Sequence, residues 1–152
     1  MKTKIYLASA LFTLAEIEYN KKLANKLQEL GYEIFLPQEQ CDGLTDPYSI
    51  YEKCIEGIRW CDFLVVNMEG TDVDSGTAFE CGFATGINKP IIGLRTDFRQ
   101  RGDNKGLNLM LSESAYSVLY EQDFNKLLAY IERMIIMYKD EKSKQEKLCY
   151  ER

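Results

Sequence analysis

An α/β fold built on a parallel sheet is predicted by three features of the chain. Short, continuously apolar segments recur along it, among them Lys4 to Ala8, Phe63 to Val66 and Ile91 to Leu94, as expected of strands covered on both faces. Segments whose apolar residues fall at helical spacing lie between them. Turn and cap residues (Gly31, Pro37, Asp46-Pro47, Asn88-Lys89-Pro90) separate the two kinds. Strands alternating with helices imply right-handed crossovers, and the expected architecture is a flavodoxin-like three-layer sandwich around a central five-stranded parallel sheet. Ligands of such sheets bind at the carboxyl ends of the strands. That rule selects four loops: Ser9 to Phe12, Pro37 to Asp42, Asn67 to Ser75, and Arg95 onward.

Taken in order, Lys4 to Ala8 reads as a buried strand. Thr13 to Leu30 reads as a helix with Ile17, Ala24, Leu27 and Leu30 on one face, stopped by Gly31. Glu33 to Leu36 is a second strand ended by Pro37, and Gln38 to Thr45 a polar loop. Asp46-Pro47 opens a helix, a capping carboxylate followed by proline at the first helical position. Ile50, Cys54, Ile58 and Cys61 follow at helical spacing. After the Phe63 to Val66 strand and a polar, acidic loop, a helix is expected from near Gly76 to about Thr85. Ile91 to Leu94 is a fourth strand, Arg95 to Lys105 a charged, solvated loop, and Ser117 to Tyr120 a fifth strand. Phe124, Leu127, Leu128, Ile131, Ile135 and Tyr138 mark a long closing helix. The chain reads as a single domain, 1–152, with a charged tail from about Lys139 that either frays or pairs with another subunit.

Composition narrows the chemistry. A chain of 152 residues can bury a core without disulfides or a structural metal. Its net charge of −5 disfavours a nucleic-acid partner, and no segment is long enough to span a membrane. The five cysteines are odd in number and form no CxxC pair, which points to reduced thiols and a cytoplasmic location rather than a disulfide framework or a zinc site. There is no histidine, so Ser-His-Asp and Cys-His catalysis fall away, and neither a metal nor a cofactor is expected. Acid–base or nucleophilic work is left to carboxylates, tyrosines, lysines or cysteines.

The segment richest in such groups is Asp72-Val-Asp74-Ser-Gly76-Thr-Ala-Phe-Glu80-Cys-Gly82-Phe-Ala84. Helix capping accounts for Asp74 but not for Glu80, which lies beside Phe79 and Phe83 and between two glycines. A carboxylate there should be partly buried at the active edge of the sheet. Two carboxylates at one edge suggest glycosidic chemistry: cleaving an N-glycosidic bond builds positive charge on the sugar, which a carboxylate nucleophile stabilises and captures. The second carboxylate can manage the proton on the departing base.

This block resembles the signature of the nucleoside 2-deoxyribosyltransferase family, an acid, a small-residue stretch, then Glu-x-Gly. Ile5-Tyr6-Leu7-Ala8 with Phe12 is similar to the family's first strand and loop, and Asn108-Leu109-Met110 to its Asn-Leu-Met. The likeness runs from about residue 4 to residue 120. It implies base exchange on 2′-deoxyribonucleosides through a covalent deoxyribosyl-Glu80 intermediate, with side hydrolysis. On that basis Glu80 is the nucleophile, Asp74 serves the base, Tyr6 orients Glu80 and Phe12 lines the base pocket. Gln40 would read the base edge, with Gly76 allowing close approach. Asn108 would bind the 5′-hydroxyl and Met110 cover the pocket, both from a neighbouring subunit of a homo-oligomer. The partners so implied are deoxyribonucleosides and free nucleobases. Many members carry Asp or Asn facing the base where this chain has Cys54, which the apolar stripe assigns instead to the core.

Two other readings compete. A 2′-deoxynucleoside 5′-monophosphate N-glycosidase would share the Glu chemistry but must hold a phosphate, and Ser9-Ala-Leu-Phe12 has neither glycine nor charge. A non-catalytic nucleotide-binding module would have no need of Glu80.

Overall fold

The computed structural model describes residues 2–97 and 106–150, without the side chains of 148–150. Most of the charged loop expected from Arg95 to Lys105 therefore lies outside the described residues. The strands are β1 (Lys4–Ala8), β2 (Glu33–Phe35), β3 (Phe63–Asn67), β4 (Ile91–Arg95) and β5 (Ser117–Tyr120). They form one sheet in the order β2-β1-β3-β4-β5, and every pairing is parallel. The chain thus runs outward from β1 in one direction and from β3 in the other. The crevice between the carboxyl ends of β1 and β3 is where such an order leaves room for a ligand.

Among the described residues six helices complete the fold: α1 (Leu14–Glu29), α2 (Pro37–Gln40), α3 (Pro47–Trp60), α4 (Ser75–Gly86), α5 (Leu109–Ser114) and α6 (Phe124–Tyr150). The period-two alternation of the strands sorts them into two layers. Ile5, Leu7, Phe63 and Val65 pack with Leu23, Leu27, Leu127 and Ile131 of α1 and α6. Tyr6, Ala8, Leu64 and Val66 turn the other way, toward Ile58 of α3 and Cys81 and Ala84 of α4. Tyr6 therefore reaches the α3/α4 layer because it occupies an even position in β1.

Several local expectations are revised. The polar loop after β2 opens with the short helix α2, begun by Pro37 at its first position. In α1 the buried stripe is Asn20, Leu23, Ala24 and Leu27, while Ile17 and Leu30 are exposed. In α3 the predicted stripe divides: Ile58 and Cys61 are fully buried, but Ile50 and Cys54 are only partly so. The charged tail continues α6 as far as Tyr150, with residues 139–147 exposed.

Arg95, read from the sequence as part of a solvated loop, is the buried last residue of β4. Its Nη1 donates to Met68 O at 2.5 Å and its Nη2 to Gly70 O at 2.9 Å, with Asp97 3.8 Å away. Glu69 answers from the other side by accepting from the backbone N–H groups of Thr96 and Asp97. A buried cation is tolerated only when partnered, and here its partners are the carbonyls of the loop leaving β3. The loops leaving β3 and β4 are clamped together by this exchange.

Gly57 is required for a different reason. A Cβ there would lie 2.7 Å from Cζ of Phe35, and Phe35 stacks on Tyr6 with centroids 5.0 Å apart and planes at 14°. Gly82, by contrast, has no neighbour within 4 Å of such a Cβ. Gly57→Ala is expected to destabilise the fold by about 1–3 kcal/mol through overpacking, and Gly82→Ala to stabilise it by about 0.5–1 kcal/mol through helix propensity. Urea unfolding of the two variants checks this; shifts of the same sign would refute the assignment.

Candidate functional site

A cavity of about 610 Å³ opens at the carboxyl ends of β1, β2 and β3. Its walls come from the loop after β1 (Ser9, Leu11, Phe12), the α2 region (Pro37, Gln38 and Cys41 to Leu44), α3 (Ile50, Cys54) and the start of α4 (Asp74, Gly76, Thr77, Glu80). Three of the four loops selected from the sequence thus converge. The walls are mostly apolar, and among the described residues their charged groups are Asp42, Asp74 and Glu80, with no Lys or Arg.

Glu80 is placed by α4. Asp74 caps that helix, its Oδ2 accepting from the Thr77 N–H at 3.0 Å and the Thr77 hydroxyl at 3.3 Å. A Cβ on Gly76 would stand 3.1 Å from the same Oδ2, so this position favours glycine beside the cap. One and a half turns on, Glu80 Oε1 accepts from the Tyr6 hydroxyl at 2.5 Å. Tyr6 is fully buried and is not part of the cavity wall. It meets the cavity through Glu80.

The electrostatics follow from burial. Desolvation pushes the Glu80 carboxyl up to about 7, the Tyr6 hydrogen bond opposing and the Asp74 charge adding to the rise. Desolvation and then the Glu80 charge raise the Tyr6 phenol far above its ordinary range, so it remains a protonated donor. At neutral pH the cavity therefore holds a carboxylate poised between its two forms, fixed by a neutral donor.

The remaining sequence-predicted residues fall into two groups. Phe12 lines the cavity and is 77% exposed. It is presented by the turn that starts α1, where Thr13 and Glu16 form a reciprocal capping box and Glu16 also accepts from the Phe12 N–H. Cys54, which the apolar stripe had placed in the core, lines the cavity and has its Sγ 3.9 Å from that of Cys41. Burial pushes its thiol up to about 11, Tyr6 opposing and Cys41 and Glu80 adding. Gln40 does not join this group: it is exposed on α2 and is not a lining residue, and Gln38 takes the wall position. The Gln38 amide is committed internally, donating to Ile17 O at 3.0 Å and accepting from Asn20 at 3.2 Å. Asn108 and Met110 are exposed and lie outside the cavity of their own chain. Asn108 caps α5, accepting from the Met110 N–H at 2.9 Å.

Sequence reading missed Asn20, Cys41 and Asp42. Asn20 is a buried polar residue whose amide donates to Ala10 O at 2.9 Å, tying the β1 loop to α1. A polar residue at the position expected for the apolar stripe was the available signal. Cys41 and Asp42 lay within a selected loop but carried no pattern of their own.

Comparison with known proteins agrees with this geometry. The family described as nucleoside 2-deoxyribosyltransferase matches residues 5–111, which include β1, Glu80 and Asn108. An uncharacterized protein of Ureaplasma parvum is 32% identical over 84% of this chain and 95% of its own length. The 2-deoxyribosyltransferase of Bacillus psychrosaccharolyticus is 25% identical, superimposes with a TM-score of 0.68, and covers 82% of this chain and 96% of its own. The CMP N-glycosidase of Clostridium botulinum, 20% identical over 86% of this chain and 98% of its own, shares the fold with a TM-score of 0.62. Matched over most of its length, and with an acid, a glycine and a glutamate converging on one cavity, this chain belongs to the nucleoside 2-deoxyribosyltransferase family.

Proposed function

We propose that the protein exchanges nucleobases on 2′-deoxyribonucleosides, with Glu80 as the nucleophile. The observation that carries this reading is the Tyr6–Glu80 hydrogen bond inside an apolar cavity. A single carboxylate oxygen is fixed by a donor that is itself buried and protonated, leaving the other for the sugar. In its ionised form Glu80 attacks the anomeric carbon as the C–N bond breaks, giving a glycosyl ester, and the departing base takes a proton. Asp74, on the same wall, is the group suited to serve that proton or to hydrogen-bond the base. A second base then attacks the ester and configuration is retained. Water reaching the ester accounts for side hydrolysis.

Free nucleosides rather than nucleotides suit the walls. A 5′-phosphate needs cations or a cluster of backbone donors, and among the described residues the charged groups of the lining are all carboxylates. Asn108 and Met110 in this reading complete a neighbour's cavity, binding the 5′-hydroxyl and covering the base. Their exposure supports this, as does that of Leu109, Tyr48, Tyr51 and Phe79 on helices of the same layer. Such exposed apolar side chains suit a homo-oligomer. The reading places the enzyme in cytoplasmic nucleoside salvage.

The test is chromatographic. Deoxyinosine plus adenine, and thymidine plus adenine, are incubated with wild type and with Glu80→Ala. Deoxyadenosine is expected with wild type, and a loss on the order of 10³-fold with the variant; base released only from deoxynucleoside 5′-monophosphates would transfer the assignment to the N-glycosidase.

The pH profile gives a second expectation. Glu80 must be ionised to attack, so kcat/KM should fall as pH drops through about 7. Because the Tyr6 hydrogen bond holds that carboxyl lower than burial alone would, Tyr6→Phe should move the acid limb to higher pH. An acid limb unmoved in Tyr6→Phe would show that the bond does not set the titration.

A further inference from the structure

Four free cysteines are described, and they divide by environment. Cys61 and Cys81 are buried in the α3/α4 layer, Cys61 donating to Ile58 O at 3.2 Å. Cys41 and Cys54 are partly exposed, line the proposed nucleoside cavity, and meet with their sulfurs 3.9 Å apart. Cys41 ends α2 and Cys54 lies in α3. Between them Gly43 takes a φ of +78°, a turn at which the chain can pivot without side-chain strain. A disulfide needs about 2.05 Å between sulfurs, so closure asks for a displacement of about 2 Å across the cavity wall.

We propose that Cys41 and Cys54 are a reversible oxidation site: a peroxide converts the pair to a disulfide that draws the end of α2 onto α3 and narrows the cavity. Cys41, at the end of α2, makes the first attack, since burial keeps Cys54 a thiol at neutral pH. The Cys41 sulfur takes one peroxide oxygen as the O–O bond breaks, becoming a sulfenic acid and releasing the first water. The Cys54 sulfur then attacks Cys41, the S–O bond breaks, and the oxygen leaves with the Cys54 proton as the second water. Two electrons pass from the sulfurs to the peroxide, and a small dithiol returns them. The narrowing of the cavity, though not the bond itself, bears on function only through the nucleoside reading above.

Trypsin cleaves between Lys53 and Cys54, so the two cysteines fall on separate peptides, 27–53 and 54–59. Full-length protein is treated with hydrogen peroxide, alkylated under denaturing conditions, digested and mapped by mass. The expected result is the linked pair 27–53/54–59, two of the five thiols lost, and both recovered after dithiothreitol. Base exchange should fall at least tenfold on oxidation and return on reduction, and Cys41→Ser should form no linked peptide. Recovery of Cys41 and Cys54 as separate alkylated peptides overturns the site, and a link formed with an unchanged exchange rate overturns the narrowing. The mass readout does not depend on exchange, so a chain that forms the link yet exchanges no base retains this site and loses the transferase reading.

Discussion

The molecule is organised around a carboxylate taken out of water. Glu80 is pressed into the layer between the sheet and its two helices, and the Tyr6 hydroxyl is what makes that placement tolerable. Each part of the arrangement depends on another. Tyr6 reaches Glu80 because it faces the α3/α4 side of the sheet. Its ring is held flat by Phe35, and Phe35 fits only because Gly57 has no side chain. Glu80 in turn is aimed by α4, whose first turn is fixed by Asp74. Residues distant in sequence thus meet because strand parity, helix capping and one missing methyl agree.

The sheet was legible because both of its signals are local. Apolar runs of four or five residues and turn residues between them need no knowledge of neighbours, and every predicted strand is present. Alternating strands and helices implied the parallel, layered class, whereas the order β2-β1-β3-β4-β5 is known only from the structure. Helix faces were less legible. Ile50 and Cys54 are apolar at helical spacing, yet both border a cavity, Cys54 while also packing against the core, and periodicity cannot distinguish a wall facing packed atoms from one facing a ligand. Arg95 shows the opposite failure. An arginine at the edge of a charged segment reads as solvated, and its burial depends on carbonyls from a loop about 25 residues earlier.

Within the site, legibility tracked the motif. Asp74, Gly76 and Glu80 lie on one helix, where spacing fixes relative direction, and the structure brings all three to the cavity. Phe12 was placed by the resemblance to the family's first strand and loop, and the capping box that starts α1 presents it to the cavity. Gln40 rested on position within an irregular segment, and there a one-turn helix rotated Gln38 to the wall instead. Contacts between segments, such as that of Cys41 with Cys54, are set by how two helices dock. Neither residue carries a sign of the other in the sequence.

Holding Glu80 in this environment sets stability against reactivity. Its folded pKa, about 7, lies above the 4.5 of an unperturbed side chain. Between those values the folded state binds the extra proton, so stability is greatest at the acid end and declines as pH rises through the window. Once the carboxyl is fully ionised, above that window, the fold is less stable than with the proton bound, by about 3 kcal/mol. The same desolvation makes the ionised form a better partner for positive charge developing on a sugar ring, because little water competes for it. Asp42 and Asp74 line the same cavity, and like charge there disfavours a ligand that arrives as an anion. In the proposed reading, the acidic walls and the desolvated carboxylate serve one preference, for a cation developing on the sugar rather than for a phosphate.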